Sequence, residues 1–225
     1  MENRFESGLE TLRQRLLEMA GLAETAVSQA VHALMCRDCA LALRVKADDD
    51  AIDRCEMEID ELAIQLLTKA PLATNLRLVT VAMRISQDLE RIGDEASKIA
   101  KRARDLSAEP EIDLQLDLPQ LAAHALEMLK SALDSFIRQA PEAARAVIPC
   151  DKQVDALNKR IHATLVRHME QNPQSISRCL HWMVAAKSLE RIADHATNIA
   201  EEVVYLWEAR DIRHSGIKNH GLPTA

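Results

Sequence analysis

Twelve residues, LERIGDEASKIA, start at Leu89 and return as LERIADHATNIA starting at Leu189, a separation of 100 positions (189 − 89). The duplication is wider than this segment. A slightly longer shift aligns Asp49 with Asp151, Ile52 with Val154, Asp53 with Asp155 and Ile59 with Ile161. A two-residue difference in one connecting turn reconciles the two shifts. Whatever the unit is, the chain builds it twice.

The period inside each unit is helical. From Leu9 onward, Leu12, Leu16, Met19, Leu22, Ala26, Ala30 and Ala33 follow at steps of three and four, the spacing of an amphipathic helix. Val45, Ile52, Ile59 and Leu66 recur at seven-residue steps with Cys55 and Leu62 between them, as in the seam of a long bundle helix. APLATN, with Pro71 and Thr74 as an expected N-cap, separates this helix from a third that runs to about Leu106. SAEPEIDLQLDLP then forms a linker. The pattern restarts with helices over 120–139, 142–171 (kinked at Pro149) and 174–208. Composition agrees: five Gly, seven Pro and 2% aromatics leave little for a sandwich or barrel. The expected fold is all-α, six long helices in two tandem three-helix bundles related by a pseudo-twofold repeat. The first unit spans 1–107, the linker 108–119, the second unit 120–210, and 211–225 is a polar tail expected to be disordered.

A net charge of −7 offers no basic surface for nucleic acid. No secretory signal and no run of the roughly 18–20 apolar residues of a membrane span is visible, so a cytoplasmic protein is expected. Five cysteines read as mostly reduced and packed, and Cys36-x-x-Cys39 as a coincidence at a helix connection. Trp182, Tyr205 and Trp207 are expected to be buried by the last helix. No phosphate loop and no nucleophile–base motif appears, and an enzyme is not expected.

The chemistry-bearing residues are acids. Ile85, Leu89, Ile92, Ala96, Ile99 and Ala103 define one stripe, from whose centre Glu90 lies roughly 140° and Asp94 close to 180° around the helix. Glu190 and Asp194 repeat that geometry, so all four are expected outside the core. In the middle helices Asp49, Asp53, Glu56 and Asp60 share a flank, matched by Asp151, Asp155, Asn158 and His162. D/E-x-x-x-D thus occurs at four repeat-related places. Like charges four residues apart cost a few tenths of a kcal/mol. Solvated faces partly neutralised by Lys98 and Lys187 are one explanation. Convergence of the flanks into sites for Mg²⁺, Ca²⁺, Mn²⁺ or iron is the other. Arg91 is expected to pair with Glu95 on the helix surface, and Gly93, matched by Ala193, to permit close packing. A buried ferritin-type centre needs inward carboxylates and Glu-x-x-His; the chain has no Glu-x-x-His.

The doubled LERI-x-D-x-A, the APLATNLR turn and the DDDAID start of the second helix together resemble the PhoU family of phosphate-signalling regulators over residues 5–210. That family's turn usually reads Pro-Val-Ala-x-Asp-Leu-Arg, and here Leu72 and Asn75 depart from it. The resemblance implies a non-enzymatic adaptor between the ATPase subunit of a phosphate ABC transporter and a phosphate-sensing histidine kinase. It implies a negative regulator of the starvation response, membrane-associated only through its partners, and a homodimer. It also implies surface metal clusters held through E/D-x-x-x-D. Residue by residue these fall on Asp49, Asp53, Glu90, Asp94, Asp151, Asp155, Glu190 and Asp194, with iron, zinc, manganese or magnesium as the ion. Two alternatives remain: an accessory of a different phosphate or metal transporter, and a carboxylate-rich metal-storage bundle.

Overall fold

A computed structural model describes residues 2–68 and 73–213, and these contain seven α-helices and no strand. The first unit comprises α1 (Glu2–Cys36), α2 (Cys39–Leu67) and α3 (Ala73–Ser107). The second comprises α4 (Leu118–Ile137), α5 (Pro141–Val147), α6 (Asp151–Gln171) and α7 (Ile176–Glu208). A single 3₁₀ turn over Ile148–Cys150 joins α5 to α6, and its flanking residues keep right-handed helical dihedrals. Here Pro149 removes a donor that the α-helical ladder needs. One long rod therefore becomes two helices in line, and the six-helix plan survives. The expected 211–225 tail falls, from residue 214, outside the described residues, as does Pro71.

Helix ends follow local chemistry. Asp38 Oδ1 accepts from the Leu41 amide at 2.9 Å and caps α2. Arg37, at φ 55°, turns the chain between α1 and α2 in the left-handed region, a costly place for a residue with a Cβ. Its guanidinium offsets that cost by donating to the carbonyls of Leu106 and Glu109 at the end of α3. Cys36 and Cys39 straddle this turn as free thiols, exposed rather than packed, whereas Cys179 is buried. Thr74 lies inside α3, which begins at Ala73, so it is not the N-cap.

The core follows the sequence stripes with one change of register. Val45, Ile52, Ile59 and Leu66 are buried along α2, and Ile85, Leu89, Ile92, Ala96, Ile99 and Ala103 along α3. On α1 the buried line continues from Met19 through Ala23, Val27 and Ala30, while Leu22 is exposed. Alanines let α1 approach its neighbours closely, so the small residues win the inner face over the larger Leu22.

α3 and α7 form the centre. They run antiparallel, as shown by Arg84 with Glu202, Asp88 with His195, Glu95 with Arg191 and Arg102 with His181. α1 and α2 pack on α3, and α4 to α6 pack on α7. The linker is fastened: Arg178 donates to the carbonyls of Pro110 at 3.2 Å and Glu111 at 3.1 Å. Ile112, Leu114 and Leu116 pack against the core beneath it. Trp182 and Tyr205 are half-buried, but Trp207 is exposed near the end of α7.

Candidate functional site

The repeated acidic flanks lie at two seams, α2 against α3 and α6 against α7. In the first, Asp49, Glu56 and Glu90 are half-buried, and Asp53 and Asp94 are exposed. The seam is tight because α3 carries Gly93 at the contact. A Cβ there would sit 2.8 Å from Ile52 Cδ1 and 3.2 Å from Asp49 Oδ1. Gly93 therefore permits the close packing its sequence position suggested.

Burial and crowding weaken these acids. Burial pushes Asp49 upward from the usual carboxylate range, and Asp53 and Asp94 add to the shift against the opposing Ser97 hydroxyl. Glu90 rises through burial and through Asp94, Glu56 and Asp53. Glu56 rises through burial, Asp60 and Asp53, with Arg91 opposing. All four expected first-unit ligands thus belong to one electrostatic cluster, together with Glu56.

The second seam repeats the arrangement. Asp151 is raised by burial, Asp155 and Glu190. Asp194 is pushed up to about 6 by burial first, then by Glu190 and Asp151, with Lys187 opposing. The four expected second-unit ligands are therefore also together. Asp194 borders a cleft of about 380 Å³ shared with Asp151, Thr197, Asn198, Glu201 and Arg213.

Two details differ from expectation. Glu190 is buried, at 9% exposure, and ion-paired with Lys187. Glu190 lies at the edge of α7 that packs on its neighbours, whereas Lys187, Arg191, Asp194 and Asn198 keep the face opposite the main stripe exposed, as expected for Asp194. Glu95 pairs with Lys98 at 3.0 Å and with Arg191 of α7 at 3.1 Å, not with Arg91. One partner comes from the same helix, three residues on, and the other from the neighbouring helix.

Sequence reasoning missed the groups that tie the units together. Glu202 is buried and holds Arg84 at 3.2 Å and Arg213 at 2.9 Å. Arg213 arrives because Ala209, at φ 55°, turns the chain after α7 back along it. Its guanidinium also lines the cleft beside Asp194. Nothing in the periodicity signals a side chain that acts after its helix has ended.

Among the described residues, no three His, Cys, Asp or Glu side chains stand gathered as a finished ligand set. What the seams offer instead is mutually repelling carboxylates whose charge a cation would relieve. Asp60 Oδ1 in the first seam and Asp151 Oδ1 in the second are buried without a hydrogen-bond partner. Buried acceptors are rarely left so. The donor set fits a hard or borderline cation.

The geometry of two repeated seams around a central antiparallel pair has relatives. The PhoU domain description matches residues 16–103 and again 118–203. The chain belongs to the PhoU family. It is 41% identical over 219 residues to the phosphate-specific transport system accessory protein PhoU homolog of Pseudomonas aeruginosa, covering 96% of this chain and 90% of that one. It is 33% identical over 217 residues to the phosphate-specific transport system accessory protein PhoU of Escherichia coli, covering 96% and 90%. The crystal structure of PhoU from Pseudomonas aeruginosa superposes with a TM-score of 0.89, covering 92% of this chain and all of that one. That of the phosphate transport system regulatory protein PhoU from Streptococcus pneumoniae, 28% identical, gives 0.85 over 92% and 99%. The tandem PhoU domains are the two three-helix units. No described helix is long and apolar enough to cross a membrane.

Proposed function

We propose that this PhoU-family chain is a cytoplasmic, non-enzymatic negative regulator of phosphate uptake and of the phosphate-starvation response. It acts as an adaptor between the ATPase subunit of a phosphate ABC transporter and a phosphate-sensing histidine kinase, working as a homodimer. The observation that carries this reading is family membership across nearly the whole chain, in both repeats. Iron, zinc, manganese or magnesium would be held by Asp49, Asp53, Glu90 and Asp94 in one seam and by Asp151, Asp155, Glu190 and Asp194 in the other. Clustering of all eight acids at repeat-equivalent seams supports that part. Such ions would cross-link α2 to α3 and α6 to α7, fixing the faces offered to partners.

Alkaline phosphatase activity in a deletion strain of the source organism, grown with abundant phosphate, tests the regulatory reading. High activity suppressed by a plasmid copy is expected; activity as low as wild type would place the chain with a different transporter. For the metal part, Glu90→Ala with Asp94→Ala should lower bound metal while leaving the helical circular-dichroism signal intact. Unchanged metal content by elemental analysis would refute the assignment.

A further inference from the structure

The second helix carries two seven-residue rows, and its own bundle uses one of them. Val45, Ile52, Ile59 and Leu66 are buried where α2 packs on α1 and α3. Leu43, Asp50, Met57 and Ile64 repeat the same step, roughly 160° around the helix from the first row. All four are exposed, and Leu43, Met57 and Ile64 stand 52%, 58% and 60% open. Residues seven apart stay nearly in line, so this outer row runs about 32 Å along α2.

The internal repeat shows what the same face looks like when it meets only water. At the shift that aligns α2 with α6, Asp50 and Met57 are replaced by Lys152 and Lys159, both exposed. One copy of the face is solvated by lysines, whereas the other keeps large apolar side chains at a helical period. An exposed apolar row of that kind marks an interaction surface, and a seven-residue step suits a second helix lying nearly parallel or antiparallel to α2.

Charge selects the occupant. Lys46 borders the start of the row and Glu61 its end, both exposed. A second copy of α2 laid antiparallel, with Leu43 level with Ile64, brings Lys46 level with Glu61 twice over. Asp50, the one charge in the row, then comes level with Met57 and one turn from Arg54 of the second copy. A parallel copy would set Lys46 on Lys46, Asp50 on Asp50 and Glu61 on Glu61.

We propose that the outer row of α2 is the face on which two copies of this chain associate, their α2 helices antiparallel about a twofold axis. The inference rests on the homodimer of the proposed function and assigns its surface. It leaves the α2–α3 seam open, because Asp49 and Glu56 lie on the flank between the buried row and the outer one.

Sedimentation equilibrium of the full chain tests the face, with wild type, Met57→Lys plus Ile64→Lys, and Leu180→Lys. The double variant gives α2 the kind of surface that α6 already has. Leu180→Lys alters another exposed apolar line, Ile176, Leu180 and Val184 on α7. A wild-type dimer at micromolar concentration is expected. Its dissociation constant should rise on the order of tenfold or more in the α2 variant, as for loss of an interface anchor, and stay unchanged in Leu180→Lys. Orientation is read from Leu43→Cys and Ile64→Cys chains, mixed and oxidised with oxidised glutathione. A disulfide between position 43 of one chain and position 64 of the other should form, identified by peptide mass spectrometry. Dimers that survive the double lysine variant overturn the face and leave the homodimer standing. A wild type that is monomeric at every concentration overturns both. Leu43→Cys chains linked to each other through position 43 would overturn the antiparallel arrangement. The cysteine link decides the matter even where the lysine variant does not fold.

Discussion

Asp88 on α3 holds His195 on α7, with Nδ1 and Oδ1 2.8 Å apart, and the repeat-related Glu95 and Ser188 are bridged with the two helices exchanged. A carboxylate in that contact accepts, so His195 carries its proton on Nδ1. The pseudo-twofold axis passes between these two bridges. Arg191 and Lys98 reinforce one of them and Asn198 the other.

His195→Ala removes one donor from Asp88, which keeps Asn198 at 3.2 Å. A half-satisfied carboxylate near the seam should cost about 1–2 kcal/mol. Urea denaturation at neutral pH checks this, and an unchanged midpoint would show that the α3–α7 junction does not depend on the bridge.

Glu202 sits with its side chain 4% exposed between Arg84 and Arg213. Removing either arginine leaves it one cation, so each single change to Ala should cost about 1 kcal/mol. Removing both strands a buried charge, and the double variant should lose about 3–5 kcal/mol. The check is a double-mutant cycle by chemical denaturation, in which simple additivity would contradict the shared-anchor arrangement.

The helices and the seams were legible in the sequence because both rest on periodicity. The heptad line from Val45 to Leu66 and the α3 stripe named their own buried faces, and the repeat paired the acids correctly. What escaped were contacts made across elements. Leu22 lost its place to Ala23 because helix approach, not hydrophobicity, set the register of α1. Glu190 and Trp207 exchanged their expected environments because burial on α7 depends on which helices surround it at each height. Arg213 acts through a left-handed turn at Ala209, a residue with no turn propensity to advertise it.

Gly93→Ala tests the tightness of the first seam. Alanine should gain about 1 kcal/mol of helix propensity, against about 1–3 kcal/mol for displacing the buried Ile52 side chain. A small net loss is expected, and the displaced Asp49 Oδ1 should weaken ions at the first seam while the second, which already carries Ala193, is untouched. Calorimetric titration with Mn²⁺ resolves the two; equal loss at both seams would mean that the substitution acts through global unfolding.

Asp194 gives the pH dependence its sign. Its folded value of about 6 lies above the ordinary 3.8, so the folded chain holds this proton more tightly than the unfolded one. Stability is then greatest below the unfolded value and falls as pH climbs from there to about 6. Asp49, Glu56, Glu90 and Asp151 are raised as well and push the same way, while Glu95, lowered by Ser188, Lys98 and Arg191 despite its burial, pushes against them at lower pH. Metal-free protein should therefore melt at a lower temperature at about pH 7.5 than at about pH 5. Asp194→Asn removes the repulsion without the proton, so it should raise the melting temperature at the higher pH and leave the lower one nearly unchanged. Added cation should restore wild type at the higher pH and do less at the lower, where the proton competes for the same oxygens. A melting temperature that rises with pH across this window, measured without metal, would show that the clustered acids do not strain the fold.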